Sequence, residues 1–170
     1  MTATSARQRL SNDHRGVNEV LKQLLTALQN QDVGTSYTKL DLFWARLAVH
    51  IRAEHLHLFP AVMGRLPKAQ SVVEKLRADH DFFMTELARA VNTLREHPTS
   101  LELNSVLDVV LEVEKRLANH NEIEENQIYR WSSTVLSESQ QLELLARINA
   151  ELENRPPRFS KEAWANQLTP

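Results

Sequence analysis

The chain of 170 residues contains no cysteine. This absence excludes disulfide bonds, zinc ribbons, thiolate metal sites and a cysteine nucleophile together. Any metal ion must therefore be bound by histidine and carboxylate side chains. Seven histidines and 22 aspartate or glutamate residues supply both kinds of donor.

Glycine and proline are scarce, at three and six residues, and no stripe of basic charge is present. The scarcity of both leaves long segments rich in Leu, Ala, Glu, Lys and Arg, which favour helices. The 20 basic residues nearly balance the 22 acidic ones, and the net charge is −2. We therefore expect no nucleic-acid partner.

Long apolar runs are also missing. No segment approaches membrane-spanning length, and the first residues lack the apolar core of a signal peptide. These absences predict a protein with no membrane association and a cytoplasmic location.

Helix caps and breakers predict five helices. They run from about Ser11 or Asn12 to Asn30, from Thr35 or Ser36 to between Gly64 and Leu66, from Pro67 to His97, from Thr99 or Ser100 past Tyr129, and from Ser137 to Asn154. The Phe59-Pro60 pair should interrupt or kink the second helix, because proline removes a backbone donor. Short connections make the first four helices antiparallel neighbours, so we predict an all-α, up-down four-helix bundle.

The fifth helix is expected to cap the bundle through an apolar stripe of Leu142, Leu145, Ile148 and Leu152. The length of the chain fits a single domain. We place the bundle and its capping helix in residues 1–154 and a C-terminal tail in residues 155–170.

Each of the four bundle helices has an apolar stripe with steps of three or four residues, the spacing of one buried face. The apolar residues of the four stripes are Leu10, Val17, Leu21, Leu24 and Leu28; Leu40, Phe43, Leu47 and Leu58; Val73, Leu76, Phe83, Leu87, Val91 and Leu94; and Val106, Val110, Val113, Leu117 and Ile128. Every stripe contains a histidine, and two also contain a glutamate. These polar residues are His14, His50, Glu54, His80, His120 and Glu124. With a rise of about 1.5 Å per residue, they converge on one layer of the bundle.

A buried carboxylate is costly unless it is paired or bound to a metal, so this layer predicts a metal site. Nitrogen and oxygen donors without sulfur suit iron, manganese or zinc. Zinc sites usually close at four ligands, so six donors favour two metal ions. The alternative is a metal-free network of His–Glu pairs, in which every buried polar group must be satisfied.

This ordered set of ligands resembles the hemerythrin-like, or HHE cation-binding, family. The similar segments are NDHRGVNEVLKQLL, HIRAEHLHLFPAV, LRADHDFF and HNEIEENQIYRW. The resemblance implies a four-helix bundle with two non-haem iron ions joined by an oxo or hydroxo bridge. It also implies that Glu54 and Glu124 bridge the irons, with His50 and His120 as their partners and His14 and His80 as terminal ligands.

The third helix departs from the oxygen-carrying hemerythrins, which have two histidines four residues apart there. Leu76 and Met84 occupy the positions four residues before and after His80, so the site is one histidine short. Water or His57 are the candidates to replace it, although a place for His57 below the site or on the surface is the more ordinary interpretation. We expect His55 to face away from the site.

The resemblance implies oxygen chemistry, and the missing histidine weakens the case for a simple O₂ carrier. Three functions remain: binding or sensing of O₂, NO or peroxide, an oxidase or peroxidase-like di-iron enzyme, and iron handling or storage. We favour binding or sensing over an enzyme. A sensor would need a separate signalling or redox partner, and the sequence leaves the oligomeric state open.

Overall fold

The computed structural model describes residues 4–154, and every regular element in that range is helical. The α-helices are α1 (Ala6–Gln29), α2 (Val33–Ala53), α3 (Phe59–Met63), α4 (Gln70–Arg95), α5 (Ser100–Ile123), α6 (Tyr129–Val135) and α7 (Glu138–Glu153). A 3-10 turn, Pro67–Ala69, precedes α4. Within the described range, no helix is both long enough and apolar enough to cross a membrane. The predicted tail at 155–170 lies outside the described residues.

Two π-helical segments make longer rods from four of these helices. Glu54–Leu58 joins α2 to α3, and Glu124–Ile128 joins α5 to α6. The interruption of the second predicted helix thus begins at Glu54, six residues before Pro60, and it widens the helix without ending it. The other π-helical segment contains no proline, so proline is not required for this geometry.

The rods α1, α2–α3, α4 and α5–α6 form a four-helix bundle. Helix α1 contacts α2 and α5, and α4 contacts the same two helices. Connections of only a few residues make successive rods antiparallel. The predicted all-α bundle with an additional C-terminal helix is confirmed, and α7 packs on α1, α2 and the first π-helical segment.

Every stripe residue predicted for the four bundle helices is buried. The apolar ones divide into two clusters, one around Leu24 and Phe43 and the other around Leu10 and Leu58. On each helix the histidine lies between residues of one cluster and residues of the other. The polar side chains therefore form a layer across an otherwise apolar core.

The start of α1 differs from the prediction. Ser5, rather than Ser11 or Asn12, is the N-cap, and its side chain accepts a hydrogen bond from the backbone N–H of Gln8. The additional turns pack on α7, because Leu10 is buried in the same cluster as that helix and Arg9 Nε donates to Asn149 Oδ1 at 3.0 Å. Tertiary packing thus extends a helix whose local sequence offers a later cap.

The predicted starts of the later helices agree more closely with the observed ones. Thr99 and Ser137 are N-caps, each in a capping box with the side chain three residues later. Helix α2 begins two or three residues before the predicted start, because the side chain of Asp32 accepts from the backbone N–H of Thr35. Asp32 is therefore the cap of α2, and it lies between the predicted end of the first helix and the predicted start of the second.

The predicted apolar stripe of α7 is wrong at Leu142, which is 57% exposed. The buried residues of this helix are Leu144, Ile148 and Leu152, whose spacing of four defines a single face. Leu142 is six residues before Ile148 and so lies off that face, while Leu145 is partly buried at its edge.

Candidate metal centre

The structure brings all six predicted ligand residues together. His14, His50, Glu54, His80, His120 and Glu124 are each 5% exposed or less. One histidine comes from each rod, and both glutamates are the first residues of the π-helical segments. The stripes therefore meet in one buried layer, as the helical spacing predicted.

The four imidazole rings share one orientation: Nδ1 is held from outside the layer and Nε2 faces its centre. The outer contacts are His14 to Glu125 at 3.0 Å, His50 to Asp13 at 2.9 Å, His80 to His55 at 2.8 Å and His120 to Asp79 at 3.2 Å. A carboxylate can only accept, so three of these Nδ1 atoms carry the proton. In the neutral ring the lone pair of Nε2 then points inward, as in metal-ligating histidines.

The donors form two groups, each compact enough for one ion. We call His14, His50, Glu54 and Glu124 the tyrosine-side group, because the hydroxyl of Tyr129 lies among them. We call His80, His120 and Glu124 the phenylalanine-side group. In the second group the Nε2 atoms of the two histidines are 2.9 Å apart.

Aromatic rings lie beside the phenylalanine-side group. Phe59 is stacked near His80 with ring centroids 6.1 Å apart, and Phe83 meets His120 edge-on at 5.4 Å. Both rings are fully buried. This group therefore borders an apolar wall.

Each glutamate extends across both groups. Glu54 directs Oε1 to His50 at 3.1 Å and Oε2 to His80 at 3.4 Å. Glu124 directs Oε2 to His14 at 3.2 Å and Oε1 to His120 at 3.0 Å. A carboxylate with one oxygen in each group is suited to bridge two ions.

Comparison with models of known families matches residues 5–132 to the hemerythrin HHE cation binding domain. The chain belongs to this family. No curated protein and no solved structure matches the chain. The HHE domain includes both donor groups and both π-helical segments, whereas α7 lies beyond the matched range.

The donor set of this HHE domain fits a bound cation. Among the described residues, Glu54 Oε2 and Glu124 Oε1 are buried side-chain oxygens with no hydrogen-bond partner of adequate geometry. The nearest groups to these oxygens are imidazole Nε2 atoms, of His80 for Glu54 and of His120 for Glu124. A cation bound by those imidazoles would also satisfy both carboxylate oxygens. The domain is therefore a cation-binding one in its chemistry as well as in its family.

The electrostatics of the HHE domain also favour positive charge in the layer. Burial opposes the charged form of His120, yet Glu124 and Asp79 raise its pKa to about 10. Burial also opposes the charged form of His50, but Glu54 and Asp13 raise its pKa well above the usual value. In contrast, burial lowers the pKa of His80 to about 4, although Glu124 partly opposes the shift.

His55 and His57, which follow Glu54, differ in whether they contact the layer. His57 is outside the layer, with Nε2 3.2 Å from Glu151 Oε1 on α7, so it does not replace the missing histidine. The expectation that His55 faces away is wrong, because its Nε2 contacts His80 Nδ1. The π-helical turn explains this, since an extra residue per turn reduces the angle between Glu54 and its neighbour.

Tyr129 is the site residue that the sequence interpretation missed. Nine residues separate it from His120, which in a regular α-helix places the two on opposite faces. The second π-helical segment rotates it inward, because the backbone N–H of Tyr129 bonds to the carbonyl of Glu124 five residues earlier. An aromatic residue five positions after each ligand glutamate, Phe59 and Tyr129, was the available signal.

Proposed function

We propose that this chain is a non-haem di-iron protein that binds or senses O₂ or a related small molecule such as NO or peroxide. The observation that carries the proposal is the inward convergence of four Nε2 atoms and two glutamates, with Nδ1 of each histidine held from outside. Iron accepts this mixture of imidazole and carboxylate donors. Two groups that share Glu124 support two ions rather than one.

In this proposal His14 and His50 would hold one iron ion, His80 and His120 would hold the other, and Glu54 and Glu124 would offer carboxylate oxygens to both. Such a pair of ions would supply binding and redox chemistry for small diatomic ligands. The carboxylates of Asp13 and Asp79 keep His50 and His120 oriented and increase their basicity. The protein thus fixes the donors before any ion arrives.

The phenylalanine-side group is where we place the small ligand. The rings of Phe59 and Phe83 lie against its histidines, whereas the hydroxyl of Tyr129 lies within the other group. Apolar walls exclude water and favour a small uncharged molecule such as O₂ or NO. Leu76 and Met84 lie four residues before and after His80, where an oxygen carrier would have its second histidine, and both are buried apolar residues.

The test is metal analysis of the purified full-length chain, followed by visible spectra of the reduced protein with and without O₂, NO or peroxide. We expect about two iron ions per chain and a spectrum that changes on ligand addition and recovers on ligand removal. Rapid consumption of peroxide with turnover would instead favour the enzyme alternative. One zinc ion per chain and no iron would contradict the di-iron proposal.

A further inference from the structure

Tyr129 lies at the centre of the tyrosine-side group, and its side chain is fully buried. Its hydroxyl is 2.9 Å from His14 Nε2, 3.2 Å from His50 Nε2, 2.6 Å from Glu54 Oε1 and 3.3 Å from Glu124 Oε2. The phenol therefore contacts every member of the group, and each contact is made to the atom that faces the centre of the layer.

These distances are those expected between ligands of one ion. Donors that lie about 2.1 Å from a first-row ion, at right angles to one another, are about 3.0 Å apart. The remaining neighbours in the group obey the same spacing, with His50 Nε2 3.1 Å from Glu54 Oε1 and His14 Nε2 3.2 Å from Glu124 Oε2. The hydroxyl thus occupies one corner of a shell whose other corners are the predicted ligands.

The types of donor atom support the same conclusion. Nδ1 of His14 and of His50 is held by a carboxylate, which leaves Nε2 of each ring as the nitrogen available to an ion. Glu54 Oε1, Glu124 Oε2 and the phenol oxygen of Tyr129 add three oxygens at the same place. Two imidazole nitrogens and three oxygens form a donor set that iron accepts.

We propose that Tyr129 is a metal ligand, a phenolate that coordinates the ion held by His14, His50, Glu54 and Glu124. This inference rests on the proposed metal centre and adds a donor from outside the predicted set of six. On binding, the ion forms a bond to the phenol oxygen, and the phenol proton leaves to solvent. The corresponding residue near the other group is Phe59, which has no donor atom, so only one ion acquires a phenolate.

The experiment uses the iron-loaded full-length chain and two substitutions. The chain has two tyrosines, and the second, Tyr37, accepts a hydrogen bond from Arg95 Nε away from the layer. Tyr37→Phe is therefore the matched control for Tyr129→Phe. Iron(III) phenolates have a visible charge-transfer absorption, and excitation within it enhances Raman vibrations of the phenolate ring.

We expect both signatures in the oxidised wild type and in Tyr37→Phe, and their loss in Tyr129→Phe. Iron content, measured on the same samples, should stay near two per chain in all three proteins, because four donors remain in the tyrosine-side group. A wild type with two irons but no phenolate signature would overturn the proposal, as would a signature that persists in Tyr129→Phe.

A zinc titration separates failure of this inference from failure of the iron proposal. Zinc added to the metal-free chain should produce the ultraviolet difference spectrum of about one tyrosinate per chain near neutral pH, and none in Tyr129→Phe. This result would support the phenolate ligand even if iron is not the natural ion. Saturation with zinc and no tyrosinate signal would reject the ligand role of Tyr129 regardless of the iron content.

Discussion

The tyrosine-side and phenylalanine-side groups are built from corresponding parts of the two halves of the bundle. Asp13 and Asp79, each next to a ligand histidine, accept from Nδ1 of the histidine on the following rod. An arginine four residues before that histidine contacts each aspartate, and a π-helical segment follows each glutamate. The first residue after the π-helical segment is Phe59 in the first half and Tyr129 in the second.

In the proposed centre, this single aromatic difference would give the two ions different surroundings. Where the hydroxyl is present, the protein offers five donors to one position. Where it is absent, the protein offers fewer donors and borders the ion with apolar rings. We therefore expect the proposed tyrosine-side ion to be held more firmly and the proposed phenylalanine-side ion to be the one that a small ligand reaches.

The outer contacts of the histidines differ as well. Glu125 holds Nδ1 of His14, whereas the equivalent residue after the other glutamate, His55, holds Nδ1 of His80. Hydrogen bonds to Glu124 and Glu125 raise the pKa of His14 against the effects of burial and of His50. Burial and the nearby His80 lower the pKa of His55 to about 3. Nδ1 of His14 therefore contacts a carboxylate, whereas Nδ1 of His80 contacts a neutral imidazole.

The largest effect should follow removal of Glu124, the residue that both groups share. We expect Glu124→Ala to lose both ions, because each position loses a charged donor. Metal analysis after dialysis measures this loss. Glu122→Ala is the control, since Glu122 is exposed on the same rod and should leave the content unchanged. Retention of one full ion by Glu124→Ala would show that the carboxylate is not shared.

Substitution of one terminal histidine should affect mainly the ion bound by its own group. We expect His80→Ala to lose the phenylalanine-side ion and the spectral response to O₂ or NO, while about one ion remains. His14→Ala should lower the affinity for the tyrosine-side ion. The spectral response to O₂ or NO at the phenylalanine-side ion should remain. Metal content and spectra of the two variants, recorded side by side, measure the separation. Loss of both ions in both variants would indicate one indivisible site.

Substitution of either aspartate should lower the affinity for one of the two ions. Asp79→Asn removes the charge that supports His120, and Asp13→Asn removes the charge that supports His50. We expect the affinity for the nearer ion to fall about 10–100-fold in each case. Competition with a chelator of known affinity measures it. Equal weakening of both ions by either variant would contradict the assignment of one aspartate to each half.

The arginines should produce the smallest effects, and unequal ones. Arg116 contacts Asp79 Oδ1 at 2.7 and 2.8 Å, whereas Arg46 reaches Asp13 only at 3.9 Å and donates to the carbonyl of Gly16. We expect Arg116→Met to lower the affinity for the phenylalanine-side ion by less than about tenfold. Arg46→Met should lower the affinity for the tyrosine-side ion by less still. The same chelator competition ranks them, and the reverse order would contradict the geometry.

Most of the bundle could be predicted from the sequence because its signals are local and periodic. Steps of three and four residues identified the buried faces of all four bundle helices, and the rise per residue brought His14 and Glu124 to one height. The start of α1 was missed, since it depends on packing against α7. Leu142 was misplaced because an apolar residue at a helical step is not necessarily on the face that finds a partner.

The π-helical segments explain the rest of what sequence patterns missed at the site. A period of 3.6 residues puts Tyr129 and His55 away from the layer, and both are in contact with it once each rod is widened after its glutamate. No local propensity marks such a segment, although each begins at a buried glutamate. His50 and His120 precede the segments, and α1 and α4 contain none, so the regular helical period applies to all four candidate ligand histidines.

The most direct test of this account is a crystal structure of the iron-loaded full-length chain with anomalous scattering recorded at the iron absorption edge. We expect two iron peaks, one among His14, His50, Glu54, Glu124 and Tyr129, and one among His80, His120 and Glu124. A single peak, or two peaks with the Tyr129 hydroxyl turned away from both, would contradict it.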